Sequence, residues 1–153
     1  MTGVDVELGD GESLVADLSE FIFRQIAEWM MQGGPIQTTV FGPSPSDNGR
    51  PSYSRSSVVT AQKSRDWHNE NARSRSVGVW ALSVDEVHSA ERFVIDDSGA
   101  PDGEERPPGH CYVDFRGLAK IDIKSIRYRL YVYAMKRGEI PTVETAPIGQ
   151  LFS

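Results

Sequence analysis

Clusters of proline and glycine divide this chain into short blocks and so limit the folds that it can adopt. Gly33, Gly34 and Pro35 form one cluster, residues 42–51 contain three prolines and two glycines, and residues 97–109 contain three of each. Such clusters end helices and strands. The blocks between them predict an α+β fold, in which two long helices cover a small mixed or antiparallel sheet of four to five strands.

Two blocks carry apolar residues at helical spacing. The first predicted helix runs from about Ser13 to Gln32, and apolar side chains cover much of its circumference. We therefore expect this helix to be heavily buried, or covered by a second copy or a partner. The other predicted helix runs from about Leu118 to Arg137, and Gly138 marks its end.

The shorter blocks predict strands and one short helix. Ser83 and Glu86 match a capping box, which predicts a helix from there to about Ala90. The polar segment 61–75 fits either a surface helix or an irregular segment. Residues typical of strands lie in the ranges 36–41, 53–60, 77–82, 92–96 and 110–115.

Length and composition predict a single domain outside the membrane. The chain has 153 residues, of which 39% are hydrophobic and 25% charged, and its apolar runs are far too short to cross a bilayer. We expect a core over residues 13–138, a loose lead-in over 1–12 and a tail over 139–153. Because Cys111 is the one cysteine, an internal disulfide is excluded, and a cytoplasmic location is the simplest expectation.

Charges alternate in blocks along the chain, which makes the net charge of −6 uninformative about partners. Residues 1–49 and 77–115 are acidic, whereas residues 50–76 and 116–138 are basic. If the two basic segments shared one face, they would form a positive groove. The sequence leaves open whether they do so or pair with the acidic segments.

His110 and Asp114 are candidate catalytic residues because they would share one face of a strand with Tyr112. Four residues of strand separate their backbones by about 13 Å, so they cannot form a directly hydrogen-bonded pair. The simpler interpretation is that Asp114 bonds Arg116 or the next helix. Cys111, on the other face, is expected to point into the core as an inert thiol.

Known catalytic and ligand-binding motifs do not occur in the sequence. The three histidines, His68, His88 and His110, lack the spacings of a zinc site, so we predict no metal and no cofactor. A nucleophile-elbow serine and the glycine loops that bind phosphate are also missing from the sequence. The paired carboxylates, among them Asp96-Asp97, fit a solvated surface better than acid–base catalysis.

The final helix is the better candidate for binding. Lys120, Lys124 and Arg127 repeat at helical spacing on one face, and Tyr131 continues that row. Such a face fits an ordinary solvated surface, an acidic patch of a partner protein, or nucleic acid that stacks on tyrosine.

Three stretches of the chain carry a family resemblance. They are residues 41–49 (FGPSPSDNG), 76–86 (SVGVWALSVDE) and 108–115 (PGHCYVDF). The chain resembles an uncharacterised family of small bacterial proteins over roughly residues 40–137. The resemblance implies a bacterial or phage origin, but no activity and no catalytic residue.

Two functions follow as expectations. The leading one is a non-enzymatic interaction protein of the bacterial cytoplasm, a component of a toxin–immunity or phage-defence system, with a protein partner or self-association favoured over nucleic acid. The alternative is a small enzyme that acts on a phosphate-bearing substrate, such as a nuclease or a nucleotide-dependent transferase. Its candidate residues are His110 or His68 as acid–base group, Asp114 to orient it, and Arg55, Arg65 or Arg73 to hold the phosphate.

Overall fold

One antiparallel sheet forms the centre of the structure, a computed structural model that describes residues 6–31 and 33–144. Within these ranges the strands are β1 (Ser13–Leu14), β2 (Phe21–Ala27), β3 (Ser52–Arg55), β4 (Ser76–Ser83), β5 (Val94–Asp96) and β6 (His110–Val113). The helices are α1 (Glu28–Met31), α2 (Ala61–Asn71), α3 (Val84–Ser89) and α4 (Lys120–Arg137), with a short 3-10 helix at Thr38–Phe41.

The predicted α+β class is confirmed, but its details differ. The described sheet has six strands rather than four to five, and every paired strand runs antiparallel. Only α4, with 18 residues, is a long helix, since α2 has 11 residues and α1 only four. The strand order is β1-β5-β6-β3-β2-β4, so most neighbours in the sheet are distant in sequence.

The helix predicted over residues 13–32 is wrong. Residues 13–31 form β1, a turn, β2 and the single turn of α1, and Gln32 lies outside the described residues. Leu14, Leu18 and Trp29, three apolar residues of that predicted helix, are all exposed. Alternate residues of β2 are buried instead, Ile22 and Ile26 among them, because β2 pairs along its whole length with β4.

Elements with local signals were predicted more accurately. The capping box at Ser83 and Glu86 opens α3, and Gly138, with φ of 87°, ends α4. Strands lie within or close to four of the predicted ranges, and the polar segment after Thr60 forms α2. The strand predicted over residues 36–41 is wrong, because a 3-10 helix occupies Thr38–Phe41 and places Val40 and Phe41 in the core.

Helices α2 and α4 cover opposite faces of the sheet. Gln25 of β2 donates a hydrogen bond to Ser64 Oγ of α2 at 2.9 Å. Its neighbour Arg24 donates to the carbonyl of Val40 in the 3-10 helix, against which α4 packs. Because consecutive strand residues point to opposite faces, the basic segments that contain α2 and α4 do not join into one positive groove.

The described parts of the lead-in and the tail contact the sheet. Glu12 accepts a hydrogen bond from the Tyr112 hydroxyl at 2.7 Å, and Gly11 lies so close to Gly99 that a Cβ would be 1.9 Å from its carbonyl oxygen. At the other end, Ile140 forms a bridge with Val79 of β4. The rest of the predicted lead-in and tail, residues 1–5 and 145–153, lies outside the described residues.

A buried ionic cluster joins three segments of the sheet. Arg55 of β3 binds Glu20 at 2.8 Å and Asp96 of β5 at 2.7 Å. Ser57 adds a hydrogen bond to Glu20 at 2.9 Å. The cluster therefore satisfies two carboxylates whose side chains are almost fully buried.

No helix in the described ranges combines the length and apolarity needed to span a bilayer.

Candidate functional site

A cavity opens where strands β2 and β3 separate. They pair only at Ile22–Arg55 and Phe23–Ser54, after which β2 continues along β4 and β3 along β6. The gap between them forms a cavity of about 320 Å³, at the lower end of the range for small-molecule sites. Its lining includes Arg24, Ser52, Trp67, His68 and His110.

His110 connects a serine and a carboxylate at this cavity. Its Nδ1 lies 2.6 Å from Asp97 Oδ1, and its Nε2 lies 3.0 Å from Ser52 Oγ. An ionised carboxylate only accepts hydrogen bonds, so Nδ1 carries the proton in the neutral ring. Nε2 is then free to accept the hydroxyl proton of Ser52. Arg106 Nε, at 3.3 Å, holds Asp97 from its other side.

This arrangement has the parts of an activated nucleophile. A hydroxyl is a weak nucleophile until a neighbouring base accepts its proton, and a third group that orients the base makes the transfer efficient. Ser52 is in the position of the nucleophile, His110 in that of the base, and Asp97 in that of the group that orients the base. Ser52 is solvent-exposed, so a substrate can approach it.

Asp97, rather than Asp114, is the carboxylate at His110. The Asp114 side chain accepts hydrogen bonds from the backbone N–H of Arg116 at 3.0 Å and from its guanidinium at 2.9 Å. Asp97 reaches His110 because β5 and β6 are neighbours, with Asp96 opposite Cys111. The sequence predicted a surface position for Asp97 and no catalytic role for Ser52. Pairing the two predicted strands as antiparallel neighbours would have brought Asp97 to His110.

His68 lines the same cavity as His110. Its Nε2 lies 2.7 Å from the carbonyl oxygen of Ser74, and burial lowers the pKa of the imidazole below its ordinary value. Because a carbonyl oxygen only accepts hydrogen bonds, Nε2 carries the proton of the neutral His68 ring. The structure therefore brings both candidate histidines to one cavity.

The arginines expected to hold a phosphate lie elsewhere. Arg55 is bound to Glu20 and Asp96, and Arg65 donates to the Ser76 carbonyl and to Thr142. Arg73 is exposed and is not part of the cavity lining. The cavity contains a different arginine, Arg24, which the sequence analysis did not single out because it lies inside a segment predicted as helix.

The basic row predicted on the final helix is split by the structure. Lys120 and Lys124 are exposed, as a binding role requires. Arg127 instead packs on Gly42, and Tyr131 contacts Phe41 with ring centroids 6.3 Å apart. These two side chains face the 3-10 helix rather than the solvent.

A different set of side chains forms the outer face of α4. Ile121, Tyr128 and Val132 are 77%, 58% and 43% exposed, and helical spacing places them along one line. Lys124 and Lys136 flank this line on its two sides. We call Ile121, Lys124, Tyr128, Val132 and Lys136 the α4 surface. Of the 18 residues of α4, only Leu130 and Ala134 are fully buried.

Cys111 and the acidic residues offer no alternative site. Cys111 is fully buried, and this burial raises the pKa of its thiol, which keeps it protonated and unreactive. In the described part of the chain, His, Cys, Asp and Glu side chains do not form a group of three or more that could hold a metal ion.

Comparison with known proteins does not assign this chain to a family. No family model, no curated protein and no solved structure matches this chain. The arguments about function therefore rest on the cavity and on the α4 surface.

Proposed function

We propose that this protein is a non-enzymatic interaction protein that binds a partner protein through the α4 surface. The observation that carries the proposal is the line of Ile121, Tyr128 and Val132, which are large apolar side chains left in solvent on an 18-residue helix. Aligned apolar groups with a polar border are typical of interaction sites, since covering them removes apolar area from water.

The charges beside this line indicate the chemistry of the partner. Lys124 and Lys136 border the apolar residues, and Lys120 adds a third exposed cation at the start of α4. An acidic rim around an apolar centre would complement this pattern. Nucleic acid fits less well, because a phosphate backbone gains nothing from contact with Ile121 and Val132.

The cellular setting belongs to the same proposal. We place the protein in the bacterial cytoplasm, as one component of a toxin–immunity or phage-defence system. The lone, buried cysteine supports a reducing compartment. A basic, apolar-centred surface on an acidic protein supports a role in which one specific acidic partner is recognised.

Co-purification with the products of adjacent genes tests this function. Tyr128→Glu and Lys124→Glu should each weaken the complex about tenfold or more, because they place a negative charge on the contact surface. Val58→Glu is the matched control, since Val58 is 58% exposed like Tyr128 but lies far along the chain on the turn after β3. Equal binding by all three variants, or a protein that stays monomeric beside every neighbour product, would contradict the proposal.

A second function, a small enzyme, is favoured by the contacts of His110. Ser52 would attack a phosphate-bearing substrate while His110 takes the hydroxyl proton and Asp97 orients the ring. The distances of 3.0 Å and 2.6 Å support these roles. His110 is therefore the acid–base group of this alternative, with Asp97 in the place that sequence reasoning gave to Asp114.

A fluorophosphonate reagent tests this second function without knowledge of the substrate. Ser52 Oγ would form a bond to phosphorus, fluoride would leave, and the hydroxyl proton would pass to His110 Nε2. Mass spectrometry should find one adduct on Ser52, and His110→Gln should slow labelling about 100-fold. Ser54 is the nearest buried serine on the same strand, and in Ser54→Ala the reagent should label Ser52 at the wild-type rate. An unlabelled Ser52 would rule out the activated nucleophile.

A further inference from the structure

The guanidinium of Arg24 has more donors than the protein uses. Arginine carries five N–H groups. Arg24 Nε donates to the Val40 carbonyl at 2.9 Å, and Nη1 donates to the Ser52 carbonyl at 2.8 Å. Among the described residues its other three N–H groups have no hydrogen-bond partner, and no carboxylate forms an ion pair with it. Yet Arg24 is only 6% exposed.

Burial of such a cation is costly, and the surrounding residues offset it only in part. Removal from water lowers the pKa of Arg24. The Tyr53 ring lies 5.4 Å from the guanidinium carbon and gives a cation–π contact. Asp47 is the nearby carboxylate, but its oxygens accept hydrogen bonds from Ser44 and Gly49. Asp47 thus acts on Arg24 only through its charge, and no described carboxylate contacts the guanidinium directly.

Arg24 lines the cavity, and its unused donors are not sealed within the protein. Three side-chain atoms in the described residues are sealed from solvent without a partner, and they are Tyr53 Oη, Arg65 Nε and Arg127 Nε. The spare nitrogen groups of Arg24 are not among them, and Arg24 lines both the main cavity and an adjoining one of about 230 Å³. Phe23 and Trp67 supply apolar wall to the main cavity.

We propose that the cavity binds a small organic anion, with its carboxylate or phosphate group on the guanidinium of Arg24 and its apolar body against Phe23 and Trp67. A planar guanidinium with three free N–H groups suits either anion. This site is separate from the α4 surface. It also supplies the anion-holding group that the second function requires, and in that respect the inference deepens that function.

Titration of the full chain with phenyl phosphate and with benzoate tests the site. Calorimetry should show one saturable site for at least one of the two probes, whereas benzyl alcohol, which has the same ring and no charge, should not bind. The tighter of the two anions identifies the natural group as phosphate or carboxylate. Absence of saturable binding by both, or equal binding of benzyl alcohol, would overturn the proposal.

Substitution of Arg24 tests whether the anion binds to its guanidinium. Arg24→Met should weaken binding about tenfold or more, since it removes the charge and its donors. Lys63→Met, which removes an exposed cation outside the cavity lining, should have no effect. Should Arg24→Met fail to fold, amide and indole NMR shifts of the wild-type protein decide the question. Shifts centred on Ser52 and Trp67 support the site, and shifts centred on α4 contradict it.

Ser52→Ala separates this inference from the second function. The variant keeps the Ser52 backbone carbonyl that Arg24 binds, so the probes should bind as tightly as to the wild type. The same variant abolishes fluorophosphonate labelling. Binding without labelling would leave an anion site that performs no chemistry, whereas labelling without binding would refute the anion site and keep the nucleophile.

Discussion

At the scale of single residues, burial of His68 in the cavity wall couples stability to pH. The folded protein holds this imidazole neutral, with its pKa below the ordinary value of 6.5. The unfolded chain takes up the proton at that ordinary value. The unfolded state therefore binds more protons just below pH 6.5, so the free energy of unfolding decreases as the pH falls through that window.

Replacement of His68 tests this coupling. Between about pH 5 and 7.5, urea denaturation of His68→Gln should show a weaker loss of stability on acidification than the wild type. His88→Gln serves as the control for loss of a histidine elsewhere, because His88 packs on Phe93 outside the cavity. Identical slopes for His68→Gln and the wild type would refute the role given to His68.

The roles of individual side chains were predictable only where they depend on their own strand. Alternation along the strand predicted that Cys111 points into the core and that His110 lies on the opposite face, and in the structure Cys111 is buried while His110 lines the cavity. Asp97 and Ser52 lie 13 and 58 residues from His110 in sequence. Their contact with it depends on the register of β5 and β3 against β6, and no residue pattern within one segment reports that register.

At the scale of elements, local signals explain why α3 and α4 could be predicted and β2 could not. Capping residues and a terminal glycine act within one turn, so the bounds of these helices can be predicted from nearby residues. The segment Phe21–Ala27 is apolar enough for either structure. Pairing with β4, about 55 residues later, makes it a strand, and this tertiary contact outweighs helical spacing.

The capping box should contribute measurably to stability. Ser83 Oγ accepts from the Glu86 N–H at 3.1 Å, and Glu86 Oε1 accepts from the Ser83 N–H at 2.8 Å. Ser83→Ala removes the first bond and should lower the free energy of unfolding by about 1 kcal/mol. Ser89→Ala, at the other end of α3, should change it by less than about 0.5 kcal/mol. A cost in Ser83→Ala no larger than that control would refute the contribution.

At the scale of the whole molecule, Arg55 holds together segments from three parts of the chain. Arg55→Met would leave Glu20 and Asp96 as buried carboxylates without a cation. We expect a loss of about 3–5 kcal/mol in the free energy of unfolding at neutral pH. Addition of Glu20→Gln to this variant should restore part of the loss, because one of the uncompensated charges is removed.

The pH dependence of the same cluster gives an independent readout. Hydrogen bonding by Arg55 lowers the pKa of Glu20 below its ordinary value of 4.5. The resulting stabilisation is present above pH 4.5 and is lost as the pH falls through the lower, folded pKa. In Arg55→Met the buried carboxyl of Glu20 has no cation beside it and favours the protonated form. The free energy of unfolding of this variant should therefore rise as the pH falls toward 4.5. Parallel pH profiles for the two proteins would show that Arg55 does not set this pKa.

The order of strands in the sheet also dictates when the protein can fold during synthesis. The inner strand β3 pairs on one side with β6, and within the described residues β1 pairs only with β5, from Ser13 to Asp96. Bringing such distant strands together costs conformational entropy before any native contact compensates for it, so this step of folding is slow. The nascent chain must therefore emerge from the ribosome almost to its final helix before the sheet can close, whereas the apolar segment Phe21–Ala27 can pair as soon as β4 has emerged.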